Sequence, residues 1–262
     1  MEGAGLVESV GANVSEFQPG DRVAYGGPIG GYAELRLIAA DRLVKLPDSI
    51  GFEQAAAMML KGMTAHMLVR RIHPVAAGDT ILVHAAAGGV GLILCQWASA
   101  LGATVIGTVG SDEKAELAHA HGCDHPIVHT RQDFVAEVGR ITEDRKLPVV
   151  YDSVGHDTFM QSLDCLAPRG LMVSYGNASG PVDPFPPGLL AQKGSLFLTR
   201  PTMHDYTAKR SDLEEAASEL FAIVASGKVR IEVGQAFALR NAAEAHRALE
   251  SRVTTGSTIL TI

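Results

Sequence analysis

Aromatic residues make up only 5% of this chain, with one tryptophan, and just three cysteines occur in its 262 residues. Cys95, Cys123 and Cys165 are odd in number and far apart in sequence, and no Cys-x-x-Cys pair is present. Neither a disulfide framework nor a zinc ribbon is therefore encoded, and a reduced, cytoplasmic protein with inert thiols is expected. Positive charge is also short: 22 Lys and Arg stand against 29 Asp and Glu, a net charge of −7. Nonspecific binding of nucleic acid or an anionic membrane has no electrostatic support. No apolar run approaches the roughly 18 residues of a membrane span. The start, Met1-Glu-Gly-Ala-Gly5, lacks the basic segment and apolar core of a signal peptide. No repeat, charge run or low-complexity tract stands out.

What the chain does have is small and apolar residues: 47% are hydrophobic and 28 are glycine, a composition suited to tightly packed α/β layers. The most informative segment is Asp79-Thr-Ile-Leu-Val-His-Ala-Ala-Ala-Gly-Gly-Val-Gly91. It reads as a buried strand that enters a glycine turn and then a helix from Val90 to Leu101. Gly88 and Gly89 permit a tight turn and close ligand approach, and Gly91 lets the helix pack on the strand. The N–H groups of Gly89 and Val90 at the helix start suit a dinucleotide pyrophosphate. Against G-x-G-x-x-G, Ala86 takes the first glycine position, with Gly88 and Gly91 in the second and third. Glycine turns of this kind also occur in α/β proteins that bind no nucleotide.

The segment 1–46 is punctuated by Gly and Pro and reads as short strands at Leu6–Val10, Arg22–Tyr25, Tyr32–Leu37 and Leu43–Leu46. Phe52–Arg71 is helical in pattern, with Asp48 or Ser49 as its cap and an interruption at Gly62 near Thr64. From Asp79 strands and helices alternate. Strands are expected at 80–86, 104–109, 125–129, 149–153, 171–175 and 195–199, and helices at 90–101, 112–121, 134–142 and 158–166. Six strands with intervening helices predict a parallel, doubly wound sheet with ligands at the strands' carboxyl ends. Beyond Pro201, Ser211 with Glu214 and Asn241 with Glu244 read as capping boxes of two helices, and 234–239 and 257–262 as strands.

The second strand of the alternating region ends in Gly110-Ser111 without a carboxylate at its tip, although Asp112 and Glu113 follow. Ser111 and Lys114 there offer a hydroxyl and a cation to a 2′-phosphate. They also read as a helix cap and a solvated lysine.

Several segments carry a family resemblance: Gly20-Asp-Arg-Val23, Leu60-Lys-Gly-Met-Thr-Ala65, His84–Gly91, Gly107-Thr-Val-Gly-Ser-Asp-Glu-Lys114, Val149-Val-Tyr-Asp-Ser-Val-Gly155, Ser162-Leu-Asp-Cys-Leu166, Gly170–Asn177, Thr199-Arg-Pro201 and Glu250-Ser-Arg-Val-Thr-Thr-Gly256. In this order they resemble the zinc-free quinone oxidoreductase branch (the zeta-crystallin-like NADPH:quinone reductases) of the medium-chain dehydrogenase/reductase superfamily. The resemblance implies a Rossmann domain over 65–199, inserted in a partial GroES-like β-rich catalytic domain formed by 1–64 and 200–262. It implies that about sixty N-terminal residues of the family pattern are missing. Ser111 and Lys114 imply NADPH. Thr130 stands where relatives often have a tyrosine, followed by Arg131. Ser153, Tyr175, Gly176 and Asn177 match the loops lining the nicotinamide, Thr199 and Arg200 its carboxamide side, Arg252 a phosphate contact and Thr64 an orienting group. No metal is implied, because the Cys and His ligand sets of the zinc alcohol dehydrogenases have no counterpart here. The histidines read as surface or internally satisfied residues. The resemblance further implies a quinone acceptor and a homodimer formed at a sheet edge near Leu196–Leu198. Reduction of an enoyl or alkenal double bond, or NADPH binding without catalysis in a crystallin-like or RNA-binding role, are the alternatives it carries.

Overall fold

The computed structural model describes residues 1–27, 29–251 and 254–262. The chain divides into two compact units, Met1–Met67 with Met203–Ile262, and Leu68–Thr202. The first unit opens with an antiparallel sheet of β1 (Glu2–Leu6), β2 (Arg22–Gly26) and β3 (Val44–Lys45), in the order β1-β2-β3. β1 lies earlier than the expected Leu6–Val10, because Glu2 anchors it: its carboxylate accepts from the Leu60 N–H at 2.8 Å and pairs with Lys61. Tyr32–Leu37 is not a strand. Alternating apolar residues form one only when they pair with a neighbouring strand, and this segment joins neither edge of the β1-β2-β3 sheet. Here Leu35 and Leu37 project outward, while the Arg36 guanidinium stacks 4.4 Å above the Tyr25 ring.

Helix α1 (Phe52–His66) is capped by Gly51 without a side-chain bond. Asp48, expected as its cap, instead pairs with Arg22 at 3.2 Å. The helix runs unbroken through Gly62 and Thr64 and continues as a π-helical stretch, Met67–Ile72.

The second unit alternates strictly: β4 (Thr80–Val83), α2 (Gly89–Ala100), β5 (Thr104–Val109), α3 (Asp112–His119), β6 (His125–Val128), α4 (Phe134–Thr142), β7 (Leu147–Asp152), α5 (Phe159–Ser162), β8 (Leu166–Ser174), α6 (Gly188–Gln192) and β9 (Phe197–Thr199). All six strands are parallel, in the order β6-β5-β4-β7-β8-β9. This is the doubly wound Rossmann arrangement. β4 lies at its centre, and the winding reverses between β5 on one side and β7 on the other. One apolar cluster under the sheet joins Leu82, Ile106, Val150 and Met172 to Phe134 and Phe159 of the helices. The crevice left where the winding reverses opens at the carboxyl ends of β4 and β7.

The chain then returns to the first unit through α7 (Met203–Tyr206), α8 (Arg210–Ala225), β10 (Val233–Ala238), α9 (Ala242–Glu250) and β11 (Ser257–Thr261), with β10 and β11 paired in parallel. Neither capping box forms. α8 begins before Ser211, so that residue sits inside the first turn, and Arg210 binds Glu214 at 2.8 Å instead. Asn241 does precede α9, but its side chain makes no capping bond. Gly62 is explained by α8: a Cβ there would stand 2.5 Å from the buried Leu220 side chain. The glycine marks a close helix crossing rather than a break.

Burial rather than alternation decides which apolar residues matter. Leu82→Ala, at a fully buried sheet position, is expected to cost about 2–5 kcal/mol. Leu37→Ser, at a fully exposed one, should stay within about 0.5 kcal/mol. Urea unfolding of both variants checks this, and comparable losses would contradict the assignment.

Candidate functional site

The crevice is built from four strand tips. After β4 the backbone turns through Ala85, which adopts a left-handed φ of 53°. The Ala86 N–H donates to Thr108 O at 3.0 Å and the Gly88 N–H to Ala85 O at 2.9 Å. α2 then starts at Gly89, with Gly88 as its N-cap and no side chain covering its end. A Cβ on Gly91 would lie 2.3 Å from Ala85 O, and one on Gly88 3.1 Å from the same oxygen, so the helix start can sit this close only with glycine at 91. Ala86, in the first glycine position, is buried. The fit is made on the neighbouring strand, where a Cβ on Gly107 would lie 2.6 Å from Ala86 Cβ and 2.6 Å from Cys123 Sγ. Gly88, Gly89 and Val90 remain partly accessible. The first N–H groups of a helix have no intrahelical acceptor and carry the positive end of its dipole. An uncapped, glycine-lined helix start of this kind fits the diphosphate of a dinucleotide.

At the tip of β5, Ser111 is the N-cap of α3, and its Oγ accepts from the Lys114 N–H at 3.3 Å. A hydrogen bond from the Ser111 hydroxyl, followed by backbone bonding, holds the exposed Glu113 carboxyl below its ordinary pKa. Asp112 is ion-paired with Arg131, which follows β6. The Thr130 hydroxyl donates to Gly110 O at 3.4 Å. Thr130 and Arg131 thus tie the tip of β6 to that of β5.

On the other side of β4, the loops after β7 and β8 close on each other. A Cβ on Gly176 would stand 2.5 Å from Ser153 O, and one on Gly155, at φ 90°, 2.6 Å from Gly180 O. The Tyr175 N–H donates to Asp152 O at 2.8 Å, and the Ala178 N–H to Ser153 O at 3.1 Å. Burial raises the pKa of the Tyr175 phenol, and the Ser153 side chain opposes that rise. Ser153, Tyr175, Gly176 and Asn177 are therefore brought together. Thr199 ends β9, paired with Val173 of β8, and the Arg200 guanidinium donates to Pro201 O at 3.5 Å. Thr64 lies in the first unit, its hydroxyl donating to Leu60 O at 2.7 Å. Arg252 falls outside the described residues.

The sequence did not single out the polar cluster beneath these loops. His84 is fully buried, with Nδ1 2.9 Å from Thr108 Oγ1 and Nε2 2.8 Å from Ser162 Oγ. Asp152, also fully buried, accepts from the N–H groups of Val154 at 2.7 Å and Gly155 at 3.0 Å. Its other oxygen accepts from Thr158 at 2.8 Å and Ser162 at 3.4 Å. Burial lowers the His84 pKa to about 4, against the opposing pull of Asp152, so the imidazole is neutral at physiological pH. The signal available in sequence was a polar residue ending an apolar strand run: His84 after Ile81–Val83, and Asp152 after Val149–Tyr151.

Known proteins give the same picture. Residues 1–48 match the alcohol dehydrogenase GroES-like domain, and residues 89–222 match a family described as zinc-binding dehydrogenase. A quinone oxidoreductase of Pseudomonas aeruginosa is 55% identical over 260 residues, 99% of this chain and 80% of that protein. A 2-haloacrylate reductase from a Burkholderia species is 46% identical over 264 residues, again 99% of this chain and 79% of the relative. The crystal structure of Escherichia coli quinone oxidoreductase complexed with NADPH superposes with a TM-score of 0.97 at 47% identity, over 99% of this chain and 81% of that one. With its parallel six-stranded sheet and its GroES-like segment, the chain belongs to the quinone oxidoreductase branch of the medium-chain dehydrogenase/reductase superfamily.

Proposed function

We propose that the chain is an NADPH-dependent quinone reductase. The observation that carries this reading is the chemistry of the β5 tip. Ser111 and Lys114 stand there, and the carboxylate next to Ser111, Asp112, is already paired with Arg131. That arrangement suits a 2′-phosphate better than a bare ribose hydroxyl, which NAD sites bind with an acidic residue. The acceptor follows from the relatives named quinone oxidoreductase.

In this reading the N–H groups of Gly89, Val90 and Gly91 hold the diphosphate. Ser111 and Lys114 take the 2′-phosphate, and Thr130 stays beside the adenosine. Ser153, Tyr175, Gly176 and Asn177 line the nicotinamide, and Thr199 and Arg200 hold its carboxamide side. When bound, NADPH supplies the hydride. The protein's share is orientation, since a reduced quinone oxygen takes its proton from solvent. Thr64 donates to Leu60 O and so keeps its lone pairs for an orienting contact. We read the reaction as metal-free. Cys95, Cys123 and Cys165 are buried, and burial together with Asp164 pushes the Cys165 thiol up to about 12. Among the described residues no group of three or more His, Cys, Asp or Glu is placed to hold a metal. The 2-haloacrylate reductase relative supports reduction of an activated carbon–carbon double bond as a second reading. Among the described residues no helix is long and apolar enough to cross a membrane.

We also infer a homodimer through β9. This strand ends the sheet order, and Phe197 and Leu198 on it are 61% and 38% exposed. An uncovered apolar edge strand pairs readily with another chain.

Three measurements check these readings. NADPH oxidation with 1,2-naphthoquinone is expected to outpace oxidation with an enal or with no acceptor. A preference for the enal would favour the second reading, and tight NADPH binding without turnover would remove both. Lys114→Ala is expected to weaken NADPH about tenfold or more, one charge-assisted hydrogen bond being worth about 1.5–3 kcal/mol. NADH should change less than about twofold under the same tenfold scale, and equal losses would refute the 2′-phosphate role. In analytical ultracentrifugation the unaltered chain should sediment as a dimer and Leu198→Lys as a monomer. A monomeric unaltered chain would rule out the β9 interface.

A further inference from the structure

The backbone ladders that flank β4 stop at one level. Pairing with β5 ends at Val83↔Gly107, and pairing with β7 ends at Val83↔Tyr151. His84, Thr108 and Asp152 are the next residue on each of the three strands. They occupy the level just beyond the ladder, where β5 and β7 begin to part around the crevice. Two backbone bonds still reach this level or just past it, His84 N–H to Tyr151 O at 3.0 Å and Ala86 N–H to Thr108 O at 3.0 Å. The rest of the level is closed by side chains. His84 spans it, bonded on one nitrogen to Thr108 and on the other to Ser162, whose hydroxyl lies 2.8 Å from Thr158 O and 3.4 Å from Asp152, the same carboxylate oxygen that Thr158 bonds at 2.8 Å.

Each end of this rung touches a different half of the crevice. On the β4 side His84 immediately precedes Ala85, whose carbonyl is the closest neighbour of both Gly88 and Gly91. On the β7 side Asp152 receives the Val154 and Gly155 N–H groups and so fixes the start of the loop that packs on Tyr175–Gly180. Phe134 packs edge-on against the imidazole at 5.0 Å, which leaves the ring little freedom to tilt. All four polar members, His84, Thr108, Asp152 and Ser162, are at most 3% exposed. A buried chain with every member satisfied is a rigid link, because any shift at one end leaves a donor or acceptor unpaired.

We propose that His84 is a positioning residue that sets the span between the diphosphate turn and the nicotinamide-side loop by clamping Thr108 on one side and Ser162–Asp152 on the other. This rests on the NADPH reading above. The imidazole contacts no part of the cofactor in this account. It acts through the two loops it joins, and only a ligand long enough to touch both of them senses it.

The test compares NADPH, which spans both loops, with 2′,5′-ADP, which reaches the β5 tip and the turn but stops short of Ser153. Dissociation constants are measured by calorimetry on the whole chain. Ser162→Ala cuts the link between His84 and Asp152. It is expected to weaken NADPH about tenfold, about 1.4 kcal/mol, while 2′,5′-ADP changes by less than about twofold on that scale. His84→Gln keeps one amide hydrogen bond and should shift the same ratio in the same direction by less. It decides the matter if Ser162→Ala does not fold. A merely structural role lowers the unfolding midpoint but weakens both ligands alike, and an unmoved ratio in the folded variants overturns the proposal. If the unaltered chain binds neither ligand, the NADPH reading itself falls. If it binds 2′,5′-ADP and NADPH and only the ratio fails to move, that reading stands and the positioning role falls alone.

Discussion

No side chain fits between the start of α2 and the carbonyl of Ala85: at Gly91 a methyl group would lie 2.3 Å from that oxygen. The second unit is arranged around this one approach. It sets α2 directly on the end of β4, at the centre of the sheet, and aims the opening N–H groups of the helix into the place where the winding reverses. The turn accommodates it with a residue in the left-handed region, Ala85, although alanine there is strained by about 1 kcal/mol relative to glycine. The demand spreads one strand further. With alanine rather than glycine at position 86, the space has to come from β5, and Gly107 supplies it between Ala86 and Cys123. A glycine missing from the fingerprint is thus matched by a glycine outside it.

Beneath the turn the problem is electrostatic. A histidine and an aspartate side by side would ordinarily form an ion pair, yet His84 stays neutral. The two effects can be weighed. Asp152 favours the protonated ring, but complete burial disfavours it more, and the net pKa falls to about 4. Asp152 does not need a cation because its oxygens accept from two backbone N–H groups and two hydroxyls. A carboxylate satisfied in this way pulls only weakly on a neighbouring proton. The neutral imidazole then has both nitrogens engaged by hydroxyl groups, Thr108 and Ser162, which can each donate or accept. The cluster holds strands together without placing a net cation under the phosphate turn.

The alternating part of the chain was legible because its central strands β4, β5 and β7 are runs of buried, largely β-branched residues, each followed by a helical segment. The phosphate turn was legible because glycine at 88 and 91 has a steric reason that sequence spacing reports. Reading failed where an element's identity depends on a partner distant in sequence. Tyr32–Leu37 alternates like a strand but pairs with no strand among the described residues. Ser211 with Glu214 has capping spacing, but the helix starts two residues earlier, with Lys209 as its N-cap, and Arg210 takes the glutamate. Gly62 looks like a helix break until Leu220, far along the chain, is seen against it. The His84 cluster was hidden for the same reason. His84 directly follows β4, while Thr108, Asp152 and Ser162 lie on β5, β7 and α5, and only the register of three strands brings them together.

The β5 tip shows why a phosphate would have to compete for its place. The Ser111 oxygen already accepts from the Lys114 N–H, and its hydroxyl proton is the main cause that lowers the Glu113 pKa. A 2′-phosphate that took this proton would leave Glu113 without its donor and would place a second anion beside that exposed carboxylate. A hydroxyl transferred from one acceptor to another contributes little net, since a bond is lost for the one gained. The favourable balance must therefore come from cations. Arg131 is committed to Asp112 and offsets one carboxylate, so the charge that offsets a phosphate has to exceed what that pair already supplies.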